Sequence, residues 1–181
     1  MDRQPSKLPV TLLSIKHSAC LQRLMESNPR YSQRVTGAGP ASDAAVQALS
    51  ALPPKAQSEQ KIDLGLWEGE ELAGFADLIV GWPRPDTVHI GLLMVDGARH
   101  GRGLGKQIHE AVLDVIQDHP LITACRISTV DANAAEVEPF WKSLGYAPTG
   151  EISTYEVGDK QSWARTWSRP ITSMRKENLD E

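Results

Sequence analysis

The sequence predicts an α/β (α+β) fold: a single domain on a mixed central sheet of about seven strands, mostly antiparallel with one parallel pair, flanked by about four helices. Three observations predict it. First, Lys61–Trp67, Glu71–Val80 and Thr87–Val95 are apolar, β-rich runs separated by Glu68-Gly69-Glu70 and by the wider turn Gly81–Asp86, which makes an antiparallel meander. Second, Thr87–Val95 leads through a glycine turn into a helix and then into Leu121–Val130, and a strand–helix–strand crossover makes those two strands parallel. Third, Tyr146–Val157 and Ser162–Ser168 bracket Gly158-Asp159 as a last hairpin.

The remaining elements follow in order. Residues 1–9 are polar and read as a flexible N-terminus; the domain runs over 10–170, and 171–181 is a polar tail. Val10–Ile15 is a short first strand. Ser18–Ser27 is an amphipathic helix with Cys20, Leu21, Leu24 and Met25 on one side, ended by Asn28-Pro29. Tyr31–Pro40 reads as a loop. Ser42-Asp43 caps a second helix through Leu52, with Ala45, Val46, Leu49 and Leu52 as its apolar face, and Pro53-Pro54 stops it. Leu92–Val95 has no polar side, as expected of a strand buried on both faces. The helix from Gly103 to about His119 carries Leu104, Ile108, Ala111, Val112, Val115 and Ile116 on one face. Asp131–Leu144 is helical in its second half, with Phe140, Trp141 and Leu144 inward and Gly145 as the C-cap.

Composition bounds the partners. The chain has 181 residues, 19 basic and 23 acidic, for a net charge of −4, which gives no long-range attraction for nucleic acid or an anionic membrane. No apolar run approaches the roughly 18 residues of a spanning helix, and the first nine residues lack the apolar core of a signal peptide. Cys20 and Cys125 show no metal-ligand spacing and read as free thiols of a reducing cytoplasm. Cys125 sits in a strand-like run and reads as a packed residue rather than a nucleophile. The expected protein is cytoplasmic, a monomer or homodimer, with no metal, nucleic-acid or membrane partner.

The stretch that carries chemistry is Leu92–Val95 followed by Asp96-Gly97-Ala98-Arg99-His100-Gly101-Arg102-Gly103-Leu104-Gly105-Lys106. A strand, a turn with glycines at alternate positions and a helix aim backbone N–H groups and a helix dipole at an anion. The spacing excludes a Walker A loop, because Gly105-Lys106 has His100 five residues before the glycine and Gln107 after the lysine. It also excludes the Gly-x-Gly-x-x-Gly dinucleotide fingerprint, whose third position is filled by Lys106 or Ile108.

What remains, His100-Gly101-Arg102-Gly103-Leu104-Gly105, resembles the acyl-CoA pyrophosphate loop of the GCN5-related N-acetyltransferase (GNAT) family, with His100 where that family usually has Gln or Arg. A second stretch, Asp131-Ala132-Asn133 and then Phe140-Trp141-Lys142-Ser143-Leu144-Gly145-Tyr146, resembles the far end of the same domain. The resemblance spans about Lys61 to Ala147. It implies acetyl-CoA as cosubstrate, bound by the loop His100 to Lys106 with its pyrophosphate on the amides of Arg102 to Lys106, and its pantetheine arm along Leu93, Met94 and Val95 and near Asn133. Trp141 stands where many members carry a Tyr that protonates the leaving thiolate; an indole N–H donates but is no useful acid. Tyr146 and Tyr155 are the fallback acids, and water serves a thiolate whose ordinary pKa is about 8.5.

Acetyl transfer to an amine needs a neutral nucleophile, a polarised thioester carbonyl and a proton acceptor, and no covalent enzyme intermediate when both substrates bind together. The N–H groups near Met94 and Val95 are placed for the carbonyl oxygen, and Arg99, Arg102 and Lys106 for screening phosphate charge. His89, on the strand eleven residues before His100, is the candidate base, at an offset where some family members carry a glutamate. Asp77 on the neighbouring strand orients it or binds a cationic acceptor. Tyr31 and Trp82 are expected to grip that acceptor, whose identity stays open among small amines and peptide N-termini. A non-catalytic CoA-binding sensor on the same fold is the alternative, favoured by Trp141 and His100.

Overall fold

The computed structural model describes residues 6–157 and 160–172. Its strands are β1 (Val10–Leu12), β2 (Lys61–Glu68), β3 (Glu71–Val80), β4 (Thr87–Val95), β5 (Ala124–Val130), β6 (Ala147–Val157) and β7 (Lys160–Pro170). They form one seven-stranded sheet in the order β1-β2-β3-β4-β5-β7-β6. Every neighbouring pair is antiparallel except β4 and β5, the pair joined by the helical crossover. The expected turn Gly158-Asp159 lies outside the described residues, but the hairpin on either side of it forms, with β7 inserted between β5 and β6.

The helices are α1 (Ser18–Glu26), α2 (Pro29–Thr36), α3 (Ala44–Ser50), α4 (Leu104–Ile116) and α5 (Asp131–Ser143). Alternation along the strands divides the core into two layers. On one face Leu64, Leu66, Leu78, Val88 and Ile90 pack under Leu104, Ile108, Val112 and Ile116 of α4, with Trp141, Tyr146 and Trp167 closing the layer. On the other face Leu72, Phe75 and Met94 pack against Leu21, Leu24 and Met25 of α1 and Ala45 of α3. Each such fully buried side chain contributes roughly 1.5–3 kcal/mol.

Several local expectations change. Residues 31–36 are helical rather than loop, because Pro29 sits in the first turn of α2 and Gly37 ends it in the left-handed region. β1 stops at Leu12, and Ile15–His17 is a 3-10 turn in which Ser14 N–H donates to His17 Nδ1 at 3.0 Å. Val46 and Leu52 are 43% and 38% exposed, because α3 ends at Ser50 before it can present a full apolar stripe. Leu121 is 72% exposed and β5 begins only at Ala124, while Ile122 is the residue that turns inward. α5 is helical from Asp131 onward and contains Pro139.

The edges of the described chain are tied to the body. Leu8 N–H donates to Gln107 Oε1 at 3.0 Å, Trp67 N–H donates to the Pro9 carbonyl at 2.9 Å, and Ile171 N–H donates to the Thr123 carbonyl at 2.7 Å. Among the described residues no helix is long and apolar enough to cross a membrane.

The sheet opens between its two parallel strands. β4 and β5 pair only from Thr87↔Ala124 to Ile90↔Ile127. Beyond that point they part, and Gly91 and Ser128, though in central strands, are exposed. Leu92, Leu93 and Val95 are therefore half-buried rather than enclosed on both faces.

Candidate active site

A cleft of about 1110 Å³ opens where β4 leaves β5. Leu93, Met94 and Val95 line it from the strand, His100, Gly101 and Gly103 from the turn, and Leu104, Gly105 and Lys106 from the first turn of α4. Asn133 and Trp141 face it from α5, and Tyr31 from α2. The residues expected to hold a cosubstrate are thus brought together, Arg102 excepted.

The glycine turn is built to present amides. Asp96 Oδ1 accepts from Ala98 N–H at 2.9 Å and holds the 3-10 turn Gly97–Arg99. Gly103 caps α4 at φ +77°, a conformation that L side chains resist. The positive end of the α4 dipole and its unpaired first amides then face the cleft. At Gly105 a Cβ would stand 3.1 Å from Phe140 Cε2, so glycine there permits close packing of α4 on α5.

Two of the turn's cations are engaged elsewhere. Arg99 borders the cleft, but its Nε donates to Glu68 Oε2 at 2.8 Å, with Glu71 and Asp96 also on its guanidinium. Arg102 Nη2 donates to Glu68 Oε1 at 2.5 Å and lies on the far side of the turn, outside the cleft. Hydrogen bonds from Arg102 and Arg99 hold Glu68 down at a pKa of about 2. These arginines clamp the turn to the β2–β3 hairpin. Lys106 also lines the cleft and is more loosely held, its Nζ 3.9 Å from Glu110. His100 Nε2 stands 3.2 Å from the Val95 carbonyl; a carbonyl only accepts, so that nitrogen carries the proton.

Sequence reading missed the contribution of α2. Asn28, ahead of α2, donates from Nδ2 to the Val95 carbonyl at 2.9 Å, and Ser27 Oγ accepts from Gly97 N–H at 2.9 Å. Arg34 Nε donates to Asn133 Oδ1 at 2.7 Å. Tyr31, beside Tyr155 and Arg34, is pushed up to about 12 by burial. The signal that finds this helix is Asn28-Pro29 as a start and Gly37 as a stop. Glu68 offered no signal beyond its place next to a hairpin glycine.

His89, Asp77, Trp82 and Tyr146 do not line this cleft. His89 Nδ1 is 3.2 Å from Arg126 Nη1, and Arg126 also holds Glu151 Oε1 and Thr166 Oγ1 at 3.1 Å. A guanidinium only donates, so Nδ1 accepts and the neutral ring keeps its hydrogen on Nε2. Burial first, and Arg126 second, lower the His89 pKa to about 4. Trp82 stacks edge-on to His89 at 5.2 Å and donates from Nε1 to the Pro54 carbonyl at 3.0 Å. Tyr146 is buried under α4, with its OH 3.0 Å from His109 Nε2, and burial raises its pKa above the ordinary tyrosine range. Asp77 Oδ1 accepts from Lys61 Nζ at 2.5 Å on the opposite sheet face from α4.

A splayed parallel pair with a glycine turn and a helix N-terminus at its mouth is the architecture of the acyl-CoA-dependent acetyltransferases. The chain belongs to the acetyltransferase (GNAT) family, whose model matches residues 33–146. Acetyl-CoA is the cosubstrate of that family. The fold is similar to an acetyltransferase from Thermus thermophilus, with a TM-score of 0.70 at 20% identity over 91% of this chain and 99% of that one. It is similar also to the ribosomal-protein-S18-alanine N-acetyltransferase from Escherichia coli, with a TM-score of 0.65 at 20% identity over 96% and 99%. A probable acetyltransferase from Staphylococcus epidermidis gives 0.69 at 13% identity over 91% and 99%. No curated protein sequence matches the chain.

Proposed function

We propose that the protein moves an acetyl group from acetyl-CoA directly to a primary amine of a small molecule or peptide, both substrates being held at once. The observation that supports this best is the continuity of one cleft from the N-terminus of α4, past Gly103, to the unpaired edge of β4. Such a cleft suits a molecule with a pyrophosphate at one end and a thioester along an arm. Amides of Gly103 to Lys106 hold the pyrophosphate, with Lys106 adding charge. The edge from Leu93 to Val95 holds the arm, and an N–H near Met94 or Val95 polarises the carbonyl. Binding both substrates together removes the need for a covalent enzyme intermediate.

Proton traffic is assigned by geometry. His89, holding its hydrogen on Nε2 and depressed to about 4, suits donation and packing rather than proton acceptance at neutral pH. Tyr146, buried between His109 and Trp141, is a packing residue, and the leaving thiolate takes its proton from the amine or from water. The enzyme works without metal in a reducing cytoplasm, as a monomer or homodimer; its free thiols, Cys20 half-buried and Cys125 buried, suit that setting.

The test is calorimetric binding of acetyl-CoA together with thiol release against a panel of primary amines. Binding with turnover of at least one amine is expected. Binding with no turnover across the panel would turn the assignment to a CoA-binding sensor, and absence of binding would overturn both.

A further inference from the structure

Asp63 on β2 and Asp77 on β3 are directly opposed cross-strand partners. Like charges in that position destabilise a sheet. Here both are largely buried, and one lysine serves the two: Lys61 Nζ lies 2.5 Å from Asp77 Oδ1 and 3.5 Å from Asp63 Oδ1. Asp63 is 7% exposed, and its Oδ1 has no hydrogen-bond partner among the described residues. A group left in that state calls for a reason beyond packing.

The second oxygen of Asp77 supplies one. The β3–β4 register shifts at this point: Asp77 pairs with Leu92 and Leu78 with Ile90, so Gly91 is an extra residue with no partner on β3. Asp77 Oδ2 lies over that glycine, 2.7 Å from where a Cβ would stand. Gly91 is exposed where β4 and β5 part, and Leu93, the first strand residue of the cleft, is two residues on, about 7 Å along the strand. A carboxylate oxygen therefore overlooks an open floor of the sheet beside the thioester end of the cleft.

We propose that Asp77 receives the acceptor as an aliphatic ammonium ion and takes its proton, with Lys61 and Asp63 as the positioning residues behind it. The proposal rests on the acetyl-transfer reading and narrows its acceptor to amines that arrive charged. An ammonium N–H bond breaks and the proton goes to Asp77 Oδ2. The freed nitrogen pair forms the C–N bond at the thioester carbonyl carbon. The C–S bond breaks with its electron pair on sulfur, the second amine proton goes to that sulfur, and Asp77 returns its proton to solvent. Burial pushes Asp63 up to about 7 and raises Asp77 too, while the Lys61 ammonium draws both back down. Lys61 and the opposite carboxyl are the ionisable neighbours that act on each. His89, two residues before Gly91, is held neutral beside Arg126.

The experiment compares a primary alkylamine with an alkoxyamine of the same skeleton, which is neutral at the assay pH. In Asp77→Asn, kcat/KM for the alkylamine should fall about 10²–10⁴-fold, the alkoxyamine should lose less than about 10-fold, and acetyl-CoA affinity should hold within about 2-fold. Asp63→Asn and Gly91→Ala should shift the same alkylamine-to-alkoxyamine ratio in the same direction, a readout that loss of packing alone does not move. The wild type gives an independent check: with the amine's own ionisation corrected, kcat/KM for the alkylamine should fall as pH drops through the titration of the pair, and that for the alkoxyamine should stay level. Equal losses for both amines in Asp77→Asn with acetyl-CoA binding intact, or parallel pH profiles in the wild type, would overturn the proposal and leave acetyl transfer standing. A wild type that binds no acetyl-CoA would overturn acetyl transfer and the proposal together.

Discussion

Arg34 Nε donates to Asn133 Oδ1 at 2.7 Å, joining α2 to the first turn of α5 across 99 residues of sequence. With Asn28 bonded to the Val95 carbonyl, α2 is held from both sides of the cleft. The amide expected to meet the pantetheine arm already has a guanidinium on it. Asn133→Ala should therefore cost about 1.5–3 kcal/mol in urea denaturation, the usual loss when a charged donor is left without its acceptor. Acetyl-CoA should change amide exchange over residues 29–36, because the arm competes for the atoms that fasten this helix.

Gly103 and Gly105 separate under substitution. Gly103→Val forces a β-branched residue to φ +77° and distorts the amides aimed at the cleft. Acetyl-CoA affinity should fall on the order of 10-fold, about 1.4 kcal/mol. Gly105→Val pushes instead on the Phe140 ring, 3.1 Å from the added Cβ, and should cost about 1–3 kcal/mol of stability. Calorimetry and denaturation on both variants read the two effects apart.

Trp141 is 8% exposed, with the Phe140 and Tyr146 rings 5.1 Å away and His109 at 6.2 Å. Trp141→Ala should cost roughly 3–5 kcal/mol of unfolding free energy. A variant of wild-type stability that has lost only turnover would place the indole in the chemistry instead.

The meander, the crossover and α4 were legible in the sequence because their apolar periods are strong and their turns carry glycine. The glycine turn that leads into α4 was legible for the same reason. α2 was not: five of its eight residues are Arg, Ser, Gln or Thr, and its one buried side chain is Val35. Its helical state comes from Pro29, Gly37 and docking on α5 rather than from a stripe. Asp77 was singled out, but Asp63 behind it was not, because their opposition depends on the register of β2 on β3, which a hairpin turn alone does not set. The partner of His89 was equally hidden. Arg126 meets it only through the parallel register His89↔Arg126, fixed by the span of the crossover.

Stability against pH tests the two buried imidazoles. Burial lowers the pKa of His89 and of His109 to about 4, with Arg126 and Arg169 respectively adding to the effect. Each folded pKa lies below the unfolded one near 6.5, so the folded state resists protonation. The stability each contributes is full above about pH 6.5 and is lost as pH falls through about 4, up to about 3 kcal/mol for a shift of this size. Asp63 has the opposite sign: its folded pKa of about 7 lies above the usual carboxylate value, so its contribution is full below about pH 3.8 and is lost as pH rises through 7. The raw stability curve of the wild type mixes these slopes. The difference between wild type and His109→Gln does not, because the distant carboxyl pair contributes equally to both proteins and cancels. His109 is 1% exposed, with Nε2 3.0 Å from the Tyr146 OH, a bond that a glutamine amide can replace. Urea denaturation of both proteins at intervals from pH 4 to 7.5 should show the wild type's advantage shrinking, and then reversing, as pH falls below 6.5. A difference that stays constant across that range would mean that His109 titrates alike in the folded and unfolded chains.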